Sequence, residues 1–259
     1  YQGSADAIEV VTEVPEISVG GQFLEATGGT ITEDGDFKVH TFTASDDFEV
    51  TALGSDPTYG ERLEAVLIIA GGGGGYRDNV GGFGAPGGAG EMIEWDNVSV
   101  SVGVYPVVIG AGGAYSQGSG TGSGNDGSPS SFNSNSANGG GGGGGGVSGR
   151  SGGSGGGCGD ASSIRNGGAS VKTGTSGTSY GNAGGNNSVG SVSGSGGAGS
   201  AGTATTIGAG RANSITGTSV TYAAGARGGS ATETSTAGSG GSGQGSGKDG
   251  VVIIRYKFK

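Results

Sequence analysis

Residues 62–75 read RLEAVLIIAGGGGG, and this junction between an apolar run and a glycine run decides the fold. Residues 63–69 would place apolar side chains on both faces of a strand, because side chains alternate along an extended chain. A strand that is apolar on both faces belongs in the middle of a sheet. We therefore predict a central strand that ends where the glycines begin.

Sequence on either side of this run predicts further strands. An Asp-Gly turn at residues 33–36 lies between alternating residues, which is typical of a β-hairpin. Pro106 predicts a sheet edge or a bulge, because proline has no N–H group to donate to a neighbouring strand. The apolar runs at 62–70 and 250–258 are predicted to lie close together in one sheet, with the glycine-rich loops projecting from one end.

Glycine dominates the rest of the chain: residues 71–250 contain 61 of the 69 glycines. Composition alone predicts a flexible linker, because glycine loses the most backbone freedom on folding. Glycine backbones also approach one another closely in the polyproline II geometry, where stacked segments satisfy each other's N–H and C=O groups. We predict polyglycine II-type segments here, although the absence of a strict Gly-X-Y register excludes collagen and weakens the case for a regular bundle.

The predicted fold class is all-β, a β-sandwich-like domain over residues 28–259. Its strands fall within about 28–110 and 214–258, and its glycine-rich loops span 71–90 and 111–250. An extended arm or linker precedes the domain at residues 1–27. The apolar fraction of 31% is low for a globular domain, so a modest core and a large part ordered by other means are expected.

Charge and cysteine content exclude several classes of protein. Net charge is −10, with −12 in residues 1–70 and +2 in the remainder, so nucleic acid is not an expected partner. No apolar run reaches about 18 residues, so membrane insertion is not expected. Cys158 is the single cysteine, which we expect to be a small buried side chain rather than a reactive thiol. The chain opens with Tyr1, which indicates a processed product or an excerpt of a longer chain.

Short motifs in the chain fail as catalytic or ligand sites. Residues 82–87 (GFGAPG) fit a dinucleotide fingerprint but open no helix. Residues 122–127 (GSGNDG) approximate one calcium repeat without a tandem copy, which favours a turn. His40 has no second ligand nearby and is expected to be a half-buried strand residue. We expect no catalytic residue, no metal and no cofactor, and the protein is predicted not to be an enzyme.

Four arginines stand beside glycines and resemble nucleic-acid-binding tracts, but their spacing is wide: Arg150, Arg165, Arg211 and Arg227. Their wide spacing and the acidic chain favour solvated side chains.

Aromatic residues in the glycine background are the best candidates for recognition. Tyr76, Phe83, Tyr115 and Tyr180 offer flat rings that can stack on sugars or partner side chains. The same rings can instead plug gaps between glycine segments, and both interpretations stay open for these four. For Phe132 plugging is favoured.

Six pieces of sequence occur in a fixed order: GGTITEDGDFKVHTFTASDDFEV, AVLIIAGGGGG, VYPVVIGAGG, GSPSSF, SITGTSVTYAAG and DGVVIIRY. This ordered series, over residues 28–259, resembles the glycine-rich domain found at the ends of bacteriophage tail-fibre and related virion proteins. The chain departs from that pattern in diluting its later glycines with Ser, Thr and Ala, and in the arm at 1–27.

The resemblance implies a β-rich domain with glycine-rich loops at an extracellular virion surface. We expect a tail-fibre or fibre-like adhesin for host attachment, bound to other virion proteins through the arm and to a host surface glycan or protein. A capsid decoration or head-fibre protein is the first alternative, and a bacterial cell-surface or secreted matrix protein is the second. Because isolated polyglycine segments bury little apolar area, a homo-oligomer, specifically a trimer, is expected.

Overall fold

A computed structural model describes residues 21–79, 84–160, 162–229 and 236–259. In these ranges every regular element is a β-strand, which confirms the predicted fold class. The strands, in chain order, are β1 Glu25–Thr27, β2 Thr30–Asp34, β3 Phe37–Phe42, β4 Asp46–Ala52, β5 Arg62–Ile69, β6 Tyr76–Asp78, β7 Gly84–Ala85, β8 Met92–Ser99, β9 Gly103–Val108, β10 Ser116–Gly118, β11 Gly122–Ser123, β12 Ser130–Phe132, β13 Asn135–Ala137, β14 Gly144–Gly145, β15 Cys158–Asp160, β16 Thr178–Tyr180, β17 Ser191–Val192, β18 Arg211–Asn213, β19 Val220–Tyr222 and β20 Val251–Lys257.

The larger sheet has six strands in the order β16-β8-β5-β20-β3-β2. β5 is antiparallel to both of its neighbours, β8 and β20, so the apolar run at residues 62–70 is a central strand, as predicted. Its pairing with β20 confirms that the two strongest apolar runs lie side by side. β2 and β3 form the predicted hairpin, in which Gly35 takes a φ of 58° that suits glycine.

A second sheet of five strands, in the order β1-β4-β9-β12-β13, packs against one face of the larger sheet. The apolar cluster between them makes the two sheets a sandwich. Four aromatic rings lie at the centre of this cluster, with Phe48 edge-on to Phe132 at 6.1 Å and to Tyr256 at 6.4 Å, and Tyr105 stacked on Phe132 at 5.8 Å. Phe132 therefore belongs to the sandwich core and does not fill a gap between glycine segments.

The other face of the six-stranded sheet carries a second apolar cluster. Leu67, Ile69 and Ile253 of the sheet contact Ala198 and Tyr222, which come from the glycine-rich part of the chain. Val39 belongs to this cluster and Phe42 to the sandwich core, as the predicted alternation along β3 requires. The sheet is thus buried on both faces, and the glycine-rich part is attached to it through this second cluster.

Residues 71–75 form the centre of the glycine-rich part. Their five N–H groups bond, in order, to the carbonyl oxygens of Ser128, Lys248, Gly88, Asn125 and Gly245. Their five carbonyl groups accept, in the same order, from the N–H groups of Gly140, Gly113, Gly241, Gly143 and Ser116. Residues three apart bond to the same neighbouring segment: Gly71 and Gly74, for example, both bond to segment 125–128. This spacing is the repeat of a polyproline II helix, which has about three residues per turn.

Six different segments therefore surround residues 71–75, and the ten bonds to them measure 2.7 to 3.1 Å. Some neighbours run parallel to the central segment, such as 140–143, and others run antiparallel, such as 125–128. A Cβ built at any of the five glycines would collide with a neighbouring backbone carbonyl. We call this set of interlocked segments the polyglycine bundle, and one chain supplies every neighbour of its central segment.

Three details differ from expectation. Residues 21–27 belong to the domain rather than to an arm, because β1 pairs with β4 and Leu24 is buried in the sandwich core; residues 1–20 of the predicted arm lie outside the described residues. Pro106 lies inside the five-stranded sheet, where β12 pairs only with Val107 and Val108 and leaves the proline without a ladder partner on that side. Short ladders of two or three residues also occur within the predicted loops.

Candidate functional site

The loops that join the polyglycine segments farthest from the sandwich form what we call the distal end. Residues 71–75 continue β5 away from the sandwich, and residues 245–250 lead back into β20. The distal loops include 76–79, 116–121, the described residues of 160–165 (all but residue 161), 187–191, 203–206 and 242–245. Because each loop is anchored on both sides by bundle segments, its ends are fixed by backbone hydrogen bonds.

One half of the distal end is tied together by side chains. Arg77 Nη1 donates to Gln244 Oε1 at 2.8 Å, and the backbone N–H of Gly120 donates to Asp78 Oδ1 at 3.0 Å. β6 and β10 also pair in parallel just below these loops. Three loops distant in sequence are therefore held in contact.

The other half is organised around Asn187, which is buried. Its backbone N–H donates to the Arg165 carbonyl at 3.2 Å, and its side-chain amide donates to the Ser163 carbonyl at 3.2 Å. The N–H of Gly190 donates to the Asp160 carbonyl at 3.1 Å. Loops 160–165 and 187–191 therefore form one unit.

Aliphatic side chains project from these loops into solvent. Ile164 is 66% exposed and Val189 59% exposed, on the two loops joined through Asn187. Ile207, 39% exposed, follows the turn at 203–206, whose Thr203 carbonyl accepts from the N–H of Gly194 at 2.9 Å. Exposed apolar side chains on adjoining loops are typical of contact surfaces. The sequence showed them only as isolated residues too sparse for a core.

Ion pairs stiffen this end of the molecule. The N–H of Ser162 and the guanidinium of Arg165 bond to Asp160 and lower the pKa of that carboxyl to about 2. Asp126 accepts from the N–H of Gly142 at 2.8 Å and pairs with Arg150, which raises the pKa of the guanidinium. Asp126 is thus engaged by an arginine.

Three of the four arginines beside glycines pair with carboxylates in addition to being solvated. Arg150 and Arg165 are paired at this end, and Arg211 pairs with Glu94 near the sandwich. Their side chains are partly exposed, so each guanidinium keeps contact with water as well.

The four predicted recognition aromatics do not form one site. Tyr76 is only 4% exposed, its ring lies against Gly122 and Gly145, and its hydroxyl donates to the Gly120 carbonyl at 3.1 Å. Burial raises its pKa. Tyr76 therefore fills space between glycine segments, which is the second of the two interpretations left open for it. Phe83 lies outside the described residues.

Tyr115 and Tyr180 are half-buried and lie in different places. The Tyr115 hydroxyl donates to Gln117 Oε1 at 3.1 Å, beside β10 at the distal end. Tyr180 is on β16 next to the sandwich, with the Arg211 guanidinium stacked 3.7 Å above its ring centre. Tyr115 can contribute to a distal contact surface, whereas Tyr180 is engaged by the ion pair that Arg211 makes with Glu94.

The single histidine and the single cysteine are both buried. His40 Nδ1 bonds to the Gly28 carbonyl at 2.7 Å and Nε2 contacts the Tyr256 hydroxyl at 3.2 Å, so its ring belongs to the sandwich core rather than being half-exposed. Burial lowers the pKa of His40. Cys158 lies beneath the distal loops, and burial raises the pKa of its thiol. Among the described residues, no three His, Cys, Asp or Glu side chains are grouped so that they could hold a metal ion.

Comparison with known protein families gives a match over most of the chain. A family model described as a glycine-rich domain matches residues 55–257. The chain belongs to this glycine-rich domain family. The match carries no statement about phage tail fibres, so that part of the resemblance is a proposal. A comparison with curated proteins gives no match.

The glycine-rich domain extends beyond the matched residues. β3 and β4 precede residue 55, yet β3 pairs with β20 and β4 pairs with β9. The strands before the match are therefore needed to close the sandwich. No helix long and apolar enough to cross a bilayer occurs in the described ranges.

Proposed function

We propose that this glycine-rich domain is a non-enzymatic recognition module on the surface of a phage virion, a tail-fibre or fibre-like adhesin. Its distal loops contact a host surface glycan or protein. The observation that carries the proposal is the interlocked polyglycine bundle, which holds loops from six parts of the chain at one end of the molecule. A scaffold that fixes several loops lowers the entropy lost when they bind a partner.

The bundle also suits a recognition module because its order depends on main-chain bonds. The N–H and C=O groups of residues 71–75 are satisfied without any side chain of the distal loops. Substitutions at exposed residues of those loops, such as Ile164 and Val189, therefore leave the scaffold intact, as variation at a contact surface requires.

Attachment to the rest of the particle is assigned to the opposite end. Gly21 and Lys259 lie side by side at the sandwich, lining one shallow cleft with Phe23 and Phe258. Residues 1–20 join the domain at Gly21, and we assign them the contacts with other virion proteins.

A homotrimer remains part of the proposal, although one of the two reasons for expecting it no longer applies. One chain supplies all six neighbours of the central glycine segment, so hydrogen bonding does not require further copies. The remaining reason is avidity, because several copies on one fibre bind a repeated surface more tightly than one.

The rival function, a capsid decoration or head-fibre protein, is favoured by a different surface. Val104 and Val108 are exposed on the outer face of the five-stranded sheet, beside Val102 and Pro106. This apolar row on β9 fits a structural contact with a neighbouring virion protein. Its loss would weaken particle assembly without affecting binding to cells.

A binding assay tests the adhesin. Fluorescently labelled protein is mixed with a panel of bacterial cells, and saturable bound fluorescence is measured. Ile164→Asp and Val189→Asp change the distal end, and Val171→Asp makes the same change at a residue 44% exposed at the sandwich end of the bundle. We expect the distal variants to weaken binding about ten-fold, the effect of losing one apolar contact and adding an unpaired charge.

The control variant Val171→Asp is expected to bind like the parent protein. Absence of saturable binding to every cell type, or equal loss in the distal and control variants, contradicts the adhesin. Normal cell binding by Val104→Asp combined with loss of assembly on particles would support the structural role instead.

A further inference from the structure

A cleft of about 560 Å³ opens on the side of the molecule, away from the distal end. It lies between the six-stranded sheet and the segment that follows β18, and we call it the lateral cleft. The residues that line it are Tyr59, Glu64, Ala65, Asp96, Asn97, Asn213, Ser214, Ile215 and Arg255. Its volume is in the range of small-molecule sites in proteins.

The walls of the lateral cleft are held in place by ion pairs. Arg255 Nε donates to Glu64 at 2.6 Å and Arg255 Nη1 to Asp34 at 2.7 Å, while its guanidinium stacks 4.1 Å from the centre of the Phe37 ring. On the opposite wall Asn213 Nδ2 donates to Glu94 Oε1 at 2.9 Å. These side chains cannot reorient without breaking charged hydrogen bonds, so the cleft is preformed.

Three polar groups in the cleft take no part in this network of hydrogen bonds. The side chains of Asp96 and Asn97 are exposed and make no hydrogen bond with any described residue. Arg255 Nη2 likewise has no acceptor among the described residues. The cleft therefore offers a carboxylate, an amide and a guanidinium nitrogen to a ligand.

The backbone at Asn97 brings these groups to the surface. Asn97 has a φ of 56°, a left-handed conformation that asparagine tolerates better than most residues. The register pairs Leu63 with Val98 and Ala65 with Asp96, and Asn97 falls between these pairs. The left-handed conformation of Asn97 interrupts the alternation of side chains along β8, so the side chains of Asp96 and Asn97 are both exposed to solvent.

Apolar surface completes the cleft. The ring of Tyr59, whose centre lies 5.4 Å from Lys257 Nζ, and the side chains of Ala65 and Ile215 also line the cleft. Sugar rings combine hydroxyl groups that bond to carboxylates and amides with C–H faces that pack on aromatic and aliphatic side chains.

We propose that the lateral cleft binds a neutral saccharide of one or two rings. Glu64 and Asp34 are balanced in part by Arg255, whereas the Asp96 carboxylate has no cationic partner among the described residues. An uncompensated carboxylate repels phosphates and acidic sugars and accepts hydrogen bonds from neutral hydroxyls. This site is separate from the distal loops, so it does not depend on the adhesin proposal.

The test uses the full chain with four neutral disaccharides, namely maltose, cellobiose, mannobiose and N-acetylated chitobiose, and with deacetylated chitobiose as a cationic comparison. Backbone NMR shifts and calorimetry measure binding. Asp96→Ala and Asn97→Gly remove the two free side chains, and glycine tolerates the φ at Asn97. Asn133→Gly is the matched control, because Asn133 has a φ of 53° in the β12–β13 turn, far from the cleft.

We expect at least one neutral probe to bind, with shifts confined to the lateral cleft and little change at high salt. Each cleft variant should weaken binding about ten-fold, the effect of removing one hydrogen bond between charged or polar groups, and Asn133→Gly should bind normally. Ile164→Asp should also leave this binding unchanged.

Three results overturn the proposal. The first is failure of all four neutral probes at millimolar concentration, and the second is binding that Asp96→Ala and Asn97→Gly do not weaken. The third is salt-sensitive binding of deacetylated chitobiose alone, which would make the lateral cleft a cation site.

Discussion

Adding a single methyl group at Gly73, the middle residue of the central polyglycine segment, should destabilise the whole bundle. The N–H of Gly73 donates to Gly88 and its carbonyl accepts from Gly241, both at 2.8 Å. A Cβ at this position would collide with the Gly141 carbonyl. Because backbone surrounds the site on all sides, no flexible side chain can move to make room.

The size of the effect follows from what must move. Overpacking of this kind costs about 1 to 3 kcal/mol, and each backbone hydrogen bond stretched as the neighbours separate adds about 1 kcal/mol. Replacing glycine with alanine recovers about 0.4 to 1 kcal/mol by restricting the unfolded chain. We expect Gly73→Ala to lower the free energy of unfolding by about 2 to 4 kcal/mol.

Urea denaturation measures this change with two probes. Fluorescence of Trp95, which packs against the sandwich core, reports the sandwich, and far-ultraviolet circular dichroism reports the whole chain. Gly21→Ala is the control, because the nearest atom to a Cβ there is the Phe23 carbonyl oxygen at 3.7 Å. Equal stability of Gly73→Ala and Gly21→Ala would refute the packing argument.

Three further predictions concern other parts of the fold. Glu91 is buried; its Oε2 accepts from the N–H of Asn138 at 2.8 Å and its Oε1 from the N–H of Gly174 at 3.1 Å. Glu91→Gln turns its NH₂ group toward one of these donors in either orientation, so it should lower the free energy of unfolding by about 2 to 4 kcal/mol in urea denaturation, and an unchanged midpoint would contradict this role. His40 is the only histidine, and burial lowers its pKa from 6.5, so the unfolded chain takes up the proton first as the pH falls. The stability that neutral His40 gives the fold is therefore complete above pH 6.5 and is lost as the pH falls toward the pKa of the folded state. Denaturation at a series of pH values should show this trend, and His40→Phe should remove it. Amides of residues 71–75 should exchange with deuterium far more slowly than that of Gly35 at the exposed turn, and rates equal to those of a free peptide would disprove the bundle.

The sheets could be predicted from the sequence because their signals are local. The run at 62–70 is apolar on both faces and the turn at 33–36 is an Asp-Gly pair, so each specifies its element without knowledge of the rest. β1 was missed because Glu25–Thr27 alternates weakly and pairs with β4 only through tertiary structure. The positions of Phe132 and Pro106 also depend on the β12–β13 hairpin, whose short strands give little sequence signal.

Candidate site residues were harder to predict, because the contacts that decide their roles are long-range. Tyr76 and Tyr115 look alike in the sequence, yet only Tyr76 lies against glycine segments that leave no room for solvent. No sequence pattern singled out Asp96 and Asn97 as site residues, because apolar and polar residues alternate normally on either side of them in β8. The distal loops come together through segments that are distant in the chain and similar in composition, which no local pattern distinguishes.

The arrangement of the bundle explains why the chain needs no Gly-X-Y register. In a helix of about three residues per turn, each residue faces a different pair of neighbours, so glycine is required only on the faces that other backbones touch. Residues 71–75 are surrounded on all sides and are all glycine. Ala89 is tolerated because its side chain joins the apolar cluster on the sheet.

Serine occupies a third kind of position, where its side chain adds a bond to a direct backbone pair: the N–H of Ser195 donates to the Ala226 carbonyl at 3.1 Å and that of Ser193 to the Cys158 carbonyl at 2.9 Å. Ser195 Oγ accepts from the N–H of Ala226 at 2.7 Å and contacts its carbonyl at 3.3 Å, and Ser193 Oγ accepts from the N–H of Cys158 at 2.9 Å. The hydroxyl thus supplies a further acceptor for the N–H group of the partner residue. Both serines are fully buried, so the later segments keep their backbone groups paired although serine dilutes their glycines, and a run of glycines in this chain marks the number of neighbours around it rather than flexibility.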